Sequence, residues 1–318
     1  MNPLLPEEAV EFGAAATTAF AALGGVDAAR RAEDDPSARS TDGAAALTAL
    51  GIAELDPRDD ADSRAAAAAL CEAAGRVALP YPVASVLLAD GDGRPFAAVP
   101  DGAARVDHGD LFDEWVVAPL HGDATLARPA GAALGTRLGP FVVDLRSGDA
   151  AVGRTDHAGT DRDVLFHTTL SSAAVLGTCD RAVELTVEHV NGRIQFGKPI
   201  AAFQAVQFQL ADCAVAVSGL RELTHFTLWR LAAHESDALA DVLALRVHAI
   251  DVARAVLRTC QQLHGAAGVC DEYDISVLTR MVQPTLRSPW SAERTATELA
   301  AAIQQGGFDG LFEHGRAG

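Results

Sequence analysis

The sequence has few aromatic residues, no long uncharged apolar run and no recognisable signal peptide. Aromatics make up 5% of 318 residues, and the abundant alanine favours helix over sheet. No apolar run approaches the roughly 18 residues that a membrane helix needs, and the first residues lack basic and apolar regions. These absences predict a cytoplasmic protein without membrane contact. The length indicates two or three packed units.

The chain also has little positive charge and few cysteines. Its formal net charge is -18, which argues against binding nucleic acid through a general basic field. Its five cysteines show no metal-binding spacing, so we predict reduced, buried thiols and no metal site at Cys71, Cys179, Cys213, Cys260 and Cys270.

Three stretches with different residue patterns follow one another along the chain. Residues 1–88 are typical of a helical domain, with the polar stretch Glu33–Ser40 predicted as a loop or a disordered segment. Residues 89–157 contain short apolar runs separated by Gly, Pro and Asp, which predict a small β-rich unit. Residues 158–318 return to helical periodicity and predict a four-helix bundle with a tail. We therefore expect a mainly α protein with a small middle β unit.

The segment Arg193–Ile200 separates two of the predicted bundle helices. Gly197 and Pro199 interrupt the helical pattern and predict a connection with a fixed bend. Arg193 would lie at a helix end, where a guanidinium is favoured and can bind phosphate. A structural interpretation remains open, in which Arg193 caps the helix and Phe196 fills a gap in the core.

This segment, continued by Phe203–Gln207, resembles the signature of the acyl-CoA dehydrogenase flavoproteins. The order of helical unit, β unit and helical bundle is similar to that family's. The resemblance implies FAD as cofactor. It also implies that Arg193, Gln195 and Phe196 reach the nucleotide part of an FAD held by a neighbouring subunit.

A second segment, Gln262–Gly268, resembles another FAD-contacting motif of the family. The resemblance implies that Gln262, Gly265 and Ala266 lie near the flavin pyrophosphate. Glycine permits close approach of the backbone, and Ala266 replaces the second glycine of the family's pair. A glycine that only ends the helix is the structural alternative.

The catalytic glutamate of the family has no counterpart at its expected positions. Pro289 stands at one of them and His167 at the other; we expect no catalytic residue, with His167 as a low-ranking candidate. Glu272 matches a structural glutamate, which we expect to pair with Arg280. The middle unit lacks the family's flavin-wrapping patterns, and we expect its Trp115 in the core.

The resemblance therefore implies one subunit of a heteromeric FAD-dependent acyl-CoA dehydrogenase, similar to the smaller subunit of actinobacterial steroid side-chain enzymes. It implies an α2β2 assembly with a homologous subunit that supplies the base. It also implies an acyl-CoA substrate, a steroid side-chain ester among the candidates, and electron-transferring flavoprotein as acceptor. Alternatives are a self-sufficient homotetramer with its base at His167, Asp163 or Glu272, a flavin-free structural paralogue, and a hydratase.

Overall fold

The N-terminal region is helical in the computed structural model, which describes residues 5–102, 104–151, 157–233 and 238–306. Asp60 caps one of these helices, since its side chain accepts a hydrogen bond from the Ser63 amide at 2.7 Å. The helices are α1 (Glu7–Ala22), α2 (Val26–Asp34), α3 (Ala38–Ala49), α4 (Ala61–Arg76) and α5 (Val83–Leu87).

The predicted loop Glu33–Ser40 is wrong over most of its length, because α2 continues to Asp34 and α3 begins at Ala38. The turn is held by Asp35, which accepts from the Ser37 amide at 3.1 Å and hydroxyl at 2.6 Å. Arg39 then anchors α3 to the β unit through Asp110 at 2.6 Å. The polar composition of Glu33–Ser40 predicted a loop, but tertiary contacts stabilise helix at both of its ends.

Five strands form one sheet in the middle of the chain. The order is β1-β3-β4-β5-β2, with β1 and β3 parallel and the other pairs antiparallel. Trp115 is fully buried and donates from Nε1 to the Gly109 carbonyl at 2.9 Å, so it belongs to the core as expected. The strands are β1 (Phe96–Ala98), β2 (Ala104–Asp107), β3 (Trp115–Ala118), β4 (Thr125–Pro129) and β5 (Val142–Ala151).

Long helices return after the sheet, which confirms the predicted fold class. The first three long helices pack against one another, and the last packs on the third. The elements are α6 (His157–Gly192), β6 (Ile194–Gln195), β7 (Lys198–Pro199), α7 (Gln204–Ala233), α8 (Leu239–His264), α9 (Asp274–Met281), α10 (Gln283–Arg287) and α11 (Ala292–Gly306). On α7, Cys213, Val217 and Leu220 are buried.

One apolar core joins the N-terminal helices, the sheet and α6. It includes Phe20 of α1, Leu70 of α4, Phe96 of β1 and Leu170 of α6. The predicted limits 1–88, 89–157 and 158–318 stay predictions, and the tail beyond residue 306 lies outside the described residues. All five cysteines are free, and Cys270 alone of them is only partly buried.

A helix that spans a membrane must be both long and apolar. Among the described residues, no single helix meets both requirements; the bent pair α1 and α2 does so only when the two are taken together.

Candidate functional site

The signature segment forms a two-stranded hairpin at the end of α6. Strands β6 and β7 pair through Ile194 with Pro199 and Gln195 with Lys198. Phe196 and Gly197 form the turn, with φ of 52° and 78°, the left-handed geometry of tight hairpin turns. Phe196 is 91% exposed, so it does not fill a core gap. An exposed phenylalanine in a strained conformation points to a role in binding.

Arg193 follows the last turn of α6, where its amide donates to the His189 carbonyl at 2.9 Å. With the Gln195 amide oxygen facing the guanidinium, Oε1 accepts from Arg193 Nη2 at 2.8 Å and from Nε at 3.3 Å. Both side chains are exposed. Gln195 thus fixes an exposed cation that can bind a phosphate oxygen.

Lys198 is the single lysine of the sequence and lies in the same hairpin. Its Nζ lies 4.4 Å from the centre of the Phe203 ring, an arrangement favourable for a cation and an aromatic face. The hairpin therefore presents two cations and an exposed ring on a molecule whose net charge is -18.

The second motif lies beside this hairpin. The rings of His189 on α6 and His264 on α8 stack with centroids 4.2 Å apart, which brings the ends of the two helices together. Gln262, Gly265 and Ala266 are exposed. Gly265 has φ of 63° and open space where a Cβ would stand, so a backbone approach is unobstructed there. This exposed set fits the phosphate-bearing part of a nucleotide cofactor.

A separate cavity lies between the N-terminal helices, the sheet, α6 and the α9–α10 region. Its volume is about 170 Å³, and its walls are mostly small apolar side chains. Arg193, Gln195 and Phe196 are not among the residues that line it. The polar side chains that line it include Tyr81, Ser85, Asp107, His167 and Ser288, and Pro289 lines it as well.

The candidate bases differ in their surroundings. His167 lines the cavity, but burial and the charge of Arg246 lower its pKa to about 4, which makes it a weak proton acceptor. Asp163 is buried and paired with Arg58, with Oδ1 2.8 Å from Nε. Glu272 is exposed and does not line the cavity.

The predicted pair between Glu272 and Arg280 is wrong. Arg280 donates instead to Glu33 of α2, with Nε 2.9 Å from Oε1, and to Asp271, with Nη1 3.3 Å from Oδ1. The folded chain brings α2 against α9, a contact that sequence spacing does not reveal.

Asp107 is a residue that sequence reasoning missed. It lies at the end of β2 and lines the cavity, with Oδ1 buried and without a hydrogen-bond partner among the described groups. Burial raises the pKa of Asp107 to about 7, against the opposing effect of Arg39. Its sequence context gives no sign of this, because the shift comes from tertiary packing.

The comparisons with known proteins agree with this geometry. The model for "Acyl-CoA dehydrogenase, C-terminal domain" matches residues 165–286. These residues are similar to the C-terminal domain of the acyl-CoA dehydrogenases. The resemblance to the acyl-CoA dehydrogenase family that the two motifs predicted is thereby confirmed, and the matched segment contains both of them.

The similarity to three known proteins extends beyond that domain. Acyl-CoA dehydrogenase IpdE2 of Mycolicibacterium smegmatis is 28% identical over 231 residues, covering 66% of this chain and 70% of the relative. The ChsE4-ChsE5 complex from Mycobacterium tuberculosis has a TM-score of 0.77 at 21% identity, covering 96% of this chain and 99% of the matched one. The Tcur3481-Tcur3483 steroid acyl-CoA dehydrogenase has a TM-score of 0.78 at 20% identity, covering 94% and 98%.

The two structural matches show that the acyl-CoA dehydrogenase fold extends over nearly the whole chain. Other curated relatives are matched over far less of their length, the chain covering 27–28% of three of them. Among the described residues, no group of three or more His, Cys, Asp and Glu side chains could hold a metal ion.

Proposed function

We propose that this chain is the subunit of a heteromeric, FAD-dependent acyl-CoA dehydrogenase that contributes flavin contacts, while a homologous partner supplies the catalytic base. One observation carries the proposal. Residues 193–198 of the signature hairpin are exposed and do not line the chain's own cavity, so a flavin that they contact would lie at the boundary of the subunit. An α2β2 assembly satisfies this requirement.

The roles of the chain's own residues follow from their chemistry. Arg193 binds phosphate oxygens, held in position by Gln195, and Phe196 offers an apolar face at the subunit boundary. Gln262, Gly265 and Ala266 offer an amide side chain and open backbone nearby. FAD supplies the acceptor for the β-hydride once a base has removed the α-proton of the thioester.

The absence of the family's catalytic glutamate from its expected positions supports the proposal that the partner subunit supplies the base. Ser288 and Pro289 border the cavity at the family's position for the base, and neither side chain can accept a proton at neutral pH. Removing a weakly acidic α-proton needs a positioned base. The partner subunit is the proposed source of that glutamate.

Substrate and surroundings are proposed from the relatives. One structural relative is described as a steroid acyl-CoA dehydrogenase, and another was crystallised as a two-protein complex. We propose by analogy a steroid side-chain CoA ester as substrate, electron-transferring flavoprotein as electron acceptor, and action in the cytoplasm.

A self-sufficient enzyme is the second candidate, favoured by Asp107. This carboxyl group borders the cavity, and its raised pKa of about 7 is suited to a proton acceptor. Dehydrogenation of an acyl-CoA by the purified chain alone would favour this candidate over the heteromer.

The test compares flavin content in the complex of this chain with its homologous subunit. Arg193→Ala removes the exposed guanidinium, and we expect FAD to be retained at least about tenfold less tightly, because a charge-assisted contact to phosphate is lost. The measurement is flavin absorbance after gel filtration, together with a dissociation constant from fluorescence.

Arg287→Ala is the matched control, since Arg287 is also exposed near a helix end and, among the described residues, its side chain donates one hydrogen bond, to Gln283 at 3.4 Å. We expect it to keep full flavin content. Unchanged flavin in Arg193→Ala would remove the hairpin from the site, and full flavin and activity in the chain alone would contradict the heteromer.

A further inference from the structure

The two motifs that resemble flavin-contacting segments meet at a pair of stacked histidine rings. His189 lies in the last turn of α6, and His264 is the last residue of α8. Their ring centroids are 4.2 Å apart, and the ring planes differ by 24°, so the two faces are in contact. Neither ring belongs to the residues proposed to contact FAD.

The His189 ring is linked to the hairpin through backbone hydrogen bonds. The His189 carbonyl accepts from the Arg193 amide at 2.9 Å. The Arg193 carbonyl in turn accepts from the Ile200 amide at 2.9 Å, which closes the hairpin. A displacement of His189 is therefore passed directly to the base of the hairpin and to Arg193.

The His264 ring is attached to the second motif in a comparable way. His264 is buried, and its Nδ1 donates to the Cys260 carbonyl at 2.8 Å. The turn that begins at Gly265 is closed by Gln261, whose Nε2 donates to the Gly268 carbonyl at 3.0 Å. A Cβ on Gly268 would lie 2.4 Å from the Gln261 carbonyl oxygen. The second motif is therefore held tightly against the turn of α8 that carries His264.

The surroundings of the stack keep both rings neutral. Burial lowers the pKa of His189, and His264 and Arg193 lower it further. Burial also lowers the pKa of His264, against the opposing effect of its hydrogen bond to the Cys260 carbonyl. Two uncharged rings can lie face to face, whereas two imidazolium ions at this distance would repel each other. The stack therefore joins α6 to α8 at neutral pH.

We propose that the stack of His189 on His264 fixes the distance between the two motifs, so that Arg193 and the backbone at Gly265 and Ala266 bind one FAD together. The inference rests on the proposed function, which assigns both motifs to the flavin. His189 and His264 are positioning residues, acting without contact to the cofactor. A site made of two parts binds more weakly when the parts can move independently, because binding must then order them.

Two substitutions of one ring test this role in the complex with the homologous subunit. His189→Phe keeps a flat ring, whereas His189→Leu fills a similar volume without one. The measurement is the dissociation constant of FAD, from flavin fluorescence during titration of the flavin-depleted complex. We expect His189→Phe to keep the wild-type affinity. His189→Leu should bind FAD about three- to tenfold more weakly, the range that loss of an aromatic pair gives.

His248→Leu is the matched control, because His248 is also a half-buried histidine of α8 and lies about 24 Å from His264 along the helix axis. It should bind FAD as the wild type does. The Tm of each flavin-depleted complex shows whether the variant is folded.

A double-mutant cycle tests the contact itself. If the stack carries the effect, His189→Leu and His264→Leu each break it, and the double variant should bind FAD no more weakly than the weaker single variant. Losses of affinity that simply multiply in the double variant overturn the inference.

The comparison of the two His189 variants can also overturn it. Equal affinity of His189→Phe and His189→Leu would show that the position only needs filling. Equal weakening in both would show that a ring nitrogen contacts the cofactor. In these cases the loss of flavin from Arg193→Ala still supports the proposed function by itself. If Arg193→Ala keeps its flavin, both proposals fail.

Discussion

At the scale of single residues, burial or exposure decides the charge state of the side chain. His167 and Asp107 border one cavity and are shifted in opposite ways, the histidine toward its neutral form and the carboxyl toward its protonated form. Arg193 and Phe196 are exposed, and in the proposed function they contact a cofactor at the subunit boundary. Burial therefore removes charge at the cavity, while exposure keeps it at the hairpin.

The lowered pKa of His167 predicts a pH dependence of stability. The unfolded chain binds a proton near the usual histidine pKa of 6.5, whereas the folded chain does so near 4. The contribution of His167 to the free energy of unfolding should therefore fall by about 3 kcal/mol as pH drops through this window, and should be constant above it. Urea unfolding of the wild type and of His167→Gln across this range measures the effect.

The wild type should lose stability relative to His167→Gln as pH drops, and this difference isolates the histidine from the opposing effect of Asp107. His121→Gln is the control, because His121 is 65% exposed, and it should follow the wild type. Parallel curves for the wild type and His167→Gln would contradict the neutral buried ring.

At the scale of elements, the crossing of α4 and α6 brings two helix backbones very close together. A Cβ on Gly75 would lie 1.9 Å from the Ala174 carbonyl oxygen, and one on Gly177 would lie 1.9 Å from the Glu72 carbonyl oxygen. Thr178 also donates to the Gly75 carbonyl at 3.0 Å. The two backbones therefore touch, and this contact joins the N-terminal helices to the bundle.

Gly75→Ala should lower the free energy of unfolding by about 3 kcal/mol or more, because the added methyl group meets backbone that cannot move aside. Gly219→Ala on α7 is the matched control, since a Cβ there meets only His248 Nε2 at 3.8 Å. It should stabilise the protein by up to about 1 kcal/mol through helix propensity. Denaturant unfolding compares the two, and equal effects would contradict the close crossing.

Helical periodicity and the Gly-Pro break were sufficient to predict α6, α7 and α8 and the bend between them. They did not predict the helical part of Glu33–Ser40, because Arg39 is ordered by Asp110 from a distant part of the chain. Asp107 stayed unnoticed for a similar reason, since its raised pKa arises from packing. The pairing of Arg280 with Glu33 likewise depends on helices far apart in sequence.

At the scale of the whole molecule, the exposed hairpin and the cavity lie in different places. Acidic residues give the protein a net charge of -18, which disfavours contact with nucleic acid. Against this background, the hairpin offers Arg193, Lys198 and Phe196 together at one end of the bundle. The cavity lies elsewhere, where the N-terminal helices, sheet and bundle meet. The proposed subunit boundary and the cavity therefore lie in different parts of one chain.

The single lysine makes this hairpin a natural chemical reporter. Lys198 is exposed between Gly197 and Pro199, so an amine-acetylating reagent has one lysine side chain to modify, and mass spectrometry reads its rate directly. We expect acetylation at least several times slower in the heteromeric complex than in the isolated chain, with free N-acetyl-lysine as the reference amine. Equal rates would show that the hairpin stays exposed to solvent after assembly. The acetylation rate of Lys198 therefore reports whether the subunit boundary is covered, without any engineered label.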